Sequence, residues 1–283
     1  LLTARATSAA PAGTTCIVAH TPGGDDHSHV VSAFNQCQSG GTVVFSAGTT
    51  YEVLTPIRAA GLSNVKIVVD GTVRFPYNNA KWPKKTPYWA IQGADVFMSG
   101  SGAVTADGQQ WWDNQPNGGP PVVLFGVHNG GMKGVKFHDA RAAHVAIKKS
   151  SSFKVSGVTM HSVSNKISKP TKNTDGIDIS SSTDIKIHDT SITNDDDAIA
   201  MEGGASNIDI RRVRCGGTCH GISIGSLGPP GKQSGAAASV KDVVVEDASF
   251  EGCTTAIHIK SWSTPVEGFA KNITYNNLSF KDV

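Results

Sequence analysis

A nine-residue pattern with apolar side chains at places two, four, seven and nine recurs through the second half of the chain. It reads Ser152-FKVSGVTM, Asp184-IKIHDTSI, Asn207-IDIRRVRC, Asp242-VVVEDASF and Asn272-ITYNNLSF, with looser copies from Asn64, Asp95 and Asn129. From Asn64 onward the starts are 31, 34, 23, 32, 23, 35 and 30 residues apart. The shortest spacing reads as the repeat unit and the longer ones as that unit plus an inserted loop. Alternation at places two and four, then seven and nine, implies two short strands separated by a bend. A second series lies between them: Val145-Ala-Ile, Ile177-Asp-Ile, Ile199-Ala-Met, Ile222-Ser-Ile and Ile257-His-Ile. Three short strands in a 23-residue turn is the arithmetic of a parallel β-helix, whose coils bury their inner faces only by stacking.

Two other repeat folds fit worse. A propeller blade needs roughly 40 residues, and a leucine-rich repeat needs a Leu consensus that is missing here. Residues Asp25 to Cys37 read as an amphipathic helix with Val30, Ala33, Phe34 and Cys37 on one side. Such a helix suits the open end of a solenoid. The expectation is therefore one all-β solenoid over 16–283, with coils stacked from about Asn64 and residues 1–15 as a flexible N-terminal segment.

Composition narrows the function. Of 283 residues, 17% are charged and 39% hydrophobic, with both signs mixed, which argues against disorder. The net charge of +2 and the lack of a Lys/Arg cluster speak against nucleic acid as a partner. No apolar run approaches the roughly 18 residues of a membrane span, so no membrane partner is expected. Leu1 to Gly13 suit either a remnant of signal processing or a ragged terminus. Asn272-Ile-Thr and Asn277-Leu-Ser are glycosylation acceptors if the chain is secreted. Five cysteines leave an odd one: Cys16 is expected to pair with Cys37 around the helix, Cys215 with Cys219 across Gly-Gly-Thr, and Cys253 to stay unpaired.

Stacking turns positions one coil apart into neighbours about 4.8 Å apart. Asp175, Asp197 and His220 each immediately precede a Gly/Ala-Ile-x-Ile or Ala-Ile-x-Met strand, at separations of 22 and 23 residues. They should form a column with Asp196 beside it. Close carboxylates split their pKa values, which lets an acid and a base coexist at one pH. Inverting glycosidases need such a pair, roughly 6.5–9.5 Å apart. Two alternatives remain: Asp as a turn former, and consecutive Asp residues as ligands of a hard cation such as calcium.

Four segments carry a family resemblance: Asn173-Thr-Asp-Gly-Ile-Asp, Asn194-Asp-Asp-Asp-Ala-Ile-Ala, Cys219-His-Gly-Ile-Ser-Ile-Gly-Ser-Leu-Gly and Ile257-His-Ile-Lys-Ser-Trp. They resemble, in order, the signature segments of family-28 polygalacturonases. Cys16, Asn35-Gln-Cys-Gln-Ser-Gly-Gly-Thr-Val-Val-Phe and the Gly102, Gly108, Trp111, Trp112 stretch are similar to the fungal exo-acting branch. The resemblance implies a right-handed β-helix and a secreted, monomeric, inverting hydrolase of α-1,4-galacturonosyl linkages. Its partner would be a pectic polysaccharide or oligogalacturonide, with no cofactor and no metal. It implies Asp196 as general acid, Asp175 and Asp197 as the pair activating water, and His220 as their tuning neighbour. Lys260 would bind a substrate carboxylate, with His258 beside it and Trp262 as a sugar platform.

Three departures stand out. His258 replaces the arginine whose planar fork suits a uronate, so recognition should weaken or shift to another sugar. Ala198 replaces a cysteine that would partner Cys215 or Cys219. The family's further coils, with a Tyr at the substrate site, are expected to be missing beyond Val283; Tyr275 sits at an inward place and is not that residue. The alternatives are a rhamnogalacturonan or xylogalacturonan hydrolase, or a non-catalytic pectin-binding secreted protein. Trp82, Trp89, Trp111 and Trp112 divide between core and sugar contacts, Lys166, Lys169 and Lys172 between loop and cleft wall, and His144 between cleft and core.

Overall fold

The computed structural model describes residues 13–78, 82, 83, 85–114, 118–166, 171–228, 234–263 and 267–283. Its strands pair in parallel, in sheets of 15 and 9 strands. Ile177–Ser180, Thr183–His188 and Ser191–Asn194 make one coil; Ile199–Met201, Ser206–Arg211 and Arg214–Gly216 lie directly on it. Three strands per coil is the arrangement the 23-residue unit predicts.

The corners explain the polar residue that opens each repeat. Asn64, Asp95, Asn129, Ser152, Asp184, Asn207, Asp242 and Asn272 all have φ between 52° and 57°. Asn and Asp tolerate this left-handed conformation better than other side-chain-bearing residues, which accounts for their recurrence. Place six is the second bend: Gly157, Asp189, Arg212, Asp247 and Asn277 there also have positive φ. Side chains bridge the corners along the stack, as in Ser152 Oγ donating to Asp184 Oδ2 at 2.8 Å. Between corners the apolar places point inward and stack like on like: Ile185, Ile208 and Val243, or Ile187, Ile210 and Val245, all buried.

Stacking starts earlier than Asn64. Thr15–Ile17 pairs with Thr42–Phe45, which pairs with Ile57–Val69. The first coil carries a helix where later coils carry strands, so the nine-residue pattern does not register it. That helix, His27–Gln36, buries Val30, Ala33 and Phe34, and Phe34 meets Trp89 edge-on at 6.0 Å. Asp26 at its start is fully buried and accepts from the backbone N–H of Thr21 and Glu52. Residues 1–12 of the expected N-terminal segment lie outside the described residues.

The disulfides correct one expectation. Cys16 pairs with Cys37, but Cys219 pairs with Cys253 at a Cα separation of 4.4 Å, and Cys215 is free and buried. Cys215 stands in a strand column between Ile192 and Phe250, so its side chain faces the core and away from Cys219. Cys219 and Cys253 occupy turns one coil apart, and stacking brings them together. Burial pushes the Cys215 thiol up to about 12, leaving little thiolate. Peptide mapping should find Cys219 joined to Cys253. Cys253→Ser should lower unfolding free energy by about 4 kcal/mol, the chain-entropy value for a 34-residue separation, read by chemical denaturation. A Cys215–Cys219 peptide would contradict the pairing.

Candidate active site

The strand series with the x position forms one outer face: Val145–Lys148, Ile177–Ser180, Ile199–Met201, Ile222–Leu227 and Ile257–Ser261 pair in sequence order. Immediately before them, backbone bonds fix the expected column. His144 N–H donates to Asp175 O, Gly176 N–H to Asp197 O, and His220 N–H to Asp196 O. Asp175, Asp196, Asp197 and His220 are thereby brought together, as the 22- and 23-residue separations imply. Asn194 locks the turn: its amide donates to the carbonyls of Thr174 and Asp197.

Each carboxylate has a distinct environment. Asp197 is 2% exposed and is clamped by two cations or potential cations, Lys260 Nζ at 2.5 Å and His258 Nε2 at 3.1 Å. Asp196 accepts from the N–H of Asn173 at 2.7 Å and of Asp197 at 2.8 Å, and faces His220 Nδ1 at 3.2 Å. Burial alone would raise its carboxyl, but the His220 contact and the two backbone donors outweigh it and hold it at about 2. The Asp196 contact in turn raises the His220 imidazole. Burial, then repulsion from Asp196 and Asp197, pushes Asp175 up to about 8. A protonated carboxyl, an ionised one and a protonatable imidazole thus sit in a single cluster.

A cavity of about 300 Å³ opens on this cluster, lined among others by Asp175, Asp196, Asp197, Glu202, Lys260 and Trp262. Trp262 is 52% exposed, whereas Trp82, Trp89, Trp111 and Trp112 are core residues. His144 is structural: it is buried, bonded to Asp175 O and Ser162 Oγ, and burial lowers its pKa to about 4. Asp195, first of the acidic run, bonds Thr171 and Thr218 and ties loops together. Lys166 pairs with Asp113, Lys172 is exposed, and Lys169 lies outside the described residues. Asn272 and Asn277 are exposed on the last coil.

Two residues escaped the sequence reading, Asp178 and Glu202. Asp178 occupies the x position of its strand, in a column with Ala146, Ala200, Ser223 and His258. Period-two alternation with Ile177 and Ile179 inward was the available signal. Its carboxyl shares a hydrogen bond with Asp175, and its Oδ1 is buried without another partner. Ligand atoms of Asp196, Asp197 and His220 lie within 4.8 Å of one another, close enough for a cation. Their lone pairs are already engaged by Lys260, His258 and backbone donors, so the set suits acid–base chemistry better than a hard metal ion.

Together these features define a class, parallel β-helices with a carboxylate cleft on one outer face. The chain belongs to glycosyl hydrolases family 28, whose sequence model matches residues 37–283. It is 30% identical over 269 residues to an exopolygalacturonase of Rhizopus delemar, covering 95% of this chain and 68% of that protein. Another from the same organism is 30% identical, with 93% and 66% covered, so the chain spans about two thirds of such relatives. The crystal structure of an endo-xylogalacturonan hydrolase from Aspergillus tubingensis superposes with a TM-score of 0.85 at 27% identity, covering 95% of this chain and 74% of that one. The fold of this chain is a right-handed parallel β-helix.

Proposed function

We propose that the protein is a secreted, inverting glycoside hydrolase that cleaves α-1,4-galacturonosyl linkages of pectin from a chain end. The carrying observation is the cluster of Asp175, Asp196, Asp197 and His220 at one cavity in a family-28 chain. Asp196 delivers the proton to the glycosidic oxygen. Asp197, bound by Lys260 and His258, takes the proton of the attacking water on the opposite side of the sugar, and Asp175 helps to orient that water. Trp262 offers its ring face to a sugar, which suits its exposure at the cavity wall. Two disulfides fit an oxidising, extracellular setting. No helix among the described residues is long and apolar enough to cross a membrane.

Incubation with polygalacturonate should produce reducing ends without the absorbance of an unsaturated product. Proton NMR within minutes of mixing should show the β anomer first, and initial release of the α anomer would exclude inversion. A substituted galacturonan is the second reading. It is favoured by His258, which faces Asp197 and leaves no arginine fork for a uronate.

A further inference from the structure

We propose that Glu202 is a specificity-determining residue, and that the cavity beside the acid cluster accepts an uncharged sugar unit in preference to a free uronate. The inference rests on the hydrolase reading above and deepens it.

The charge inventory of the cavity motivates it. Among the described residues, four carboxyl groups line it, those of Asp175, Asp196, Asp197 and Glu202, against the single ammonium of Lys260. That ammonium is shared with Asp197, whose Oδ2 lies 2.5 Å away and offsets its charge. The nearby imidazoles are turned to the same acids: His258 faces the second oxygen of Asp197 and His220 faces Asp196. Glu202 is different from the other three. Its backbone N–H continues the sheet to Ile179 O, while its carboxylate has no hydrogen-bond or ion-pair partner among the described residues. It stands beyond Met201 at the strand end, next to Gly203, with Gly225 and Ser226 of the next coil beside it. These small neighbours leave its carboxylate as the dominant charge of that wall.

Burial raises the Glu202 carboxyl, opposed by Lys148 and Lys260 and reinforced by Asp197. A further anion placed there would meet an exposed carboxylate that has no hydrogen-bond or ion-pair partner among the described residues. Like charges a few ångströms apart repel, and recognition can work by repulsion as well as by attraction. A methyl-esterified uronate or a neutral glycosyl unit placed there avoids that penalty. The exposed Trp262 ring supplies an uncharged stacking face on the same cavity.

The experiment compares kcat/KM near neutral pH for three oligosaccharide sets: de-esterified oligogalacturonides, their methyl-esterified counterparts, and galacturonan oligomers bearing neutral sugar branches. Each is run with the wild-type chain and with Glu202→Gln, and affinities are measured in parallel by calorimetry. Wild type should prefer either the methyl-esterified set or the set with neutral branches; which one tells esterified uronate from neutral branch. Glu202→Gln should raise kcat/KM and affinity for the de-esterified set by about tenfold, the factor that about 1.4 kcal/mol supplies. The preferred set should change less than about twofold. A wild-type preference for the free acid, or a substitution that moves all three sets alike, overturns the proposal. If no set yields reducing ends, the hydrolase reading fails. The affinities then decide the specificity alone: a charge preference abolished by Glu202→Gln sustains it, and equal affinities overturn it.

Discussion

Asp196→Asn is expected to reduce polygalacturonate hydrolysis by at least roughly 10²–10⁴-fold, the contribution of a positioned general acid. The substitution preserves shape and the acceptor for Asn173 N–H, so the melting temperature should stay close to wild type while activity falls. The electrostatics add a second expectation. Asp196 is held at about 2 and is therefore ionised in the free protein, so it must acquire a proton before it can give one. His220 Nδ1, 3.2 Å away and raised by that same contact, is the proton source in reach. His220→Ala should therefore cost less than Asp196→Asn near the acidic end of the profile and progressively more as pH rises. Without the imidazolium, only solvent at low pH can load Asp196. Full activity in Asp196→Asn would remove the whole cluster from consideration. A His220→Ala loss that is independent of pH would remove the relay while leaving Asp196 as the acid.

The stack, its helical cap and the acid column were legible because each rests on periodicity. A strand alternates with period two, and a coil returns every 22 or 23 residues, so Asp175, Asp197 and His220 had to meet. What escaped depended on which way a side chain points. Cys215 and Cys219 are near in sequence, but one sits on an inward strand place and the other in a turn. Proximity along the chain therefore counted for less than proximity between coils, and Cys219 joins Cys253. His258 was expected to meet the substrate, yet the column that carries it sets its ring against Asp197. Glu202 lies just past Ile199-Ala-Met, where strand ends and turn begins, and no pattern of apolar residues marks such a position. Electrostatics were least legible of all, since three adjacent aspartates differ only in the donors the fold aims at each.

Stability is expected to fall as pH rises from about 4 to about 8, and Asp178→Asn should flatten that decline. Burial, then the charges of Asp196 and Asp197, lifts the Asp175 carboxyl from its ordinary 3.8 to about 8. Burial and the adjacent Asp175 also raise Asp178 well above that ordinary value. The two share a hydrogen bond, which requires a proton on at least one of them. A folded state that binds a proton more tightly than the unfolded chain is favoured where the proton is present. The stabilisation is therefore complete below the unfolded value near 4 and lost as pH passes through about 8. At about 1.4 kcal/mol per pH unit, the ceiling for one such proton is on the order of 5 kcal/mol. Water reaching Asp175 through the cleft and coupling between the two groups should reduce it to a few kcal/mol. In Asp178→Asn an amide supplies the hydrogen bond to Asp175 without needing a proton. The raised Asp178 carboxyl is then gone, and its own share of the stability lost on the way to neutral pH goes with it. Denaturant unfolding of both chains at several pH values measures the two slopes. Equal slopes, or a wild-type stability that rises across this range, would mean that the proton is not shared between Asp175 and Asp178.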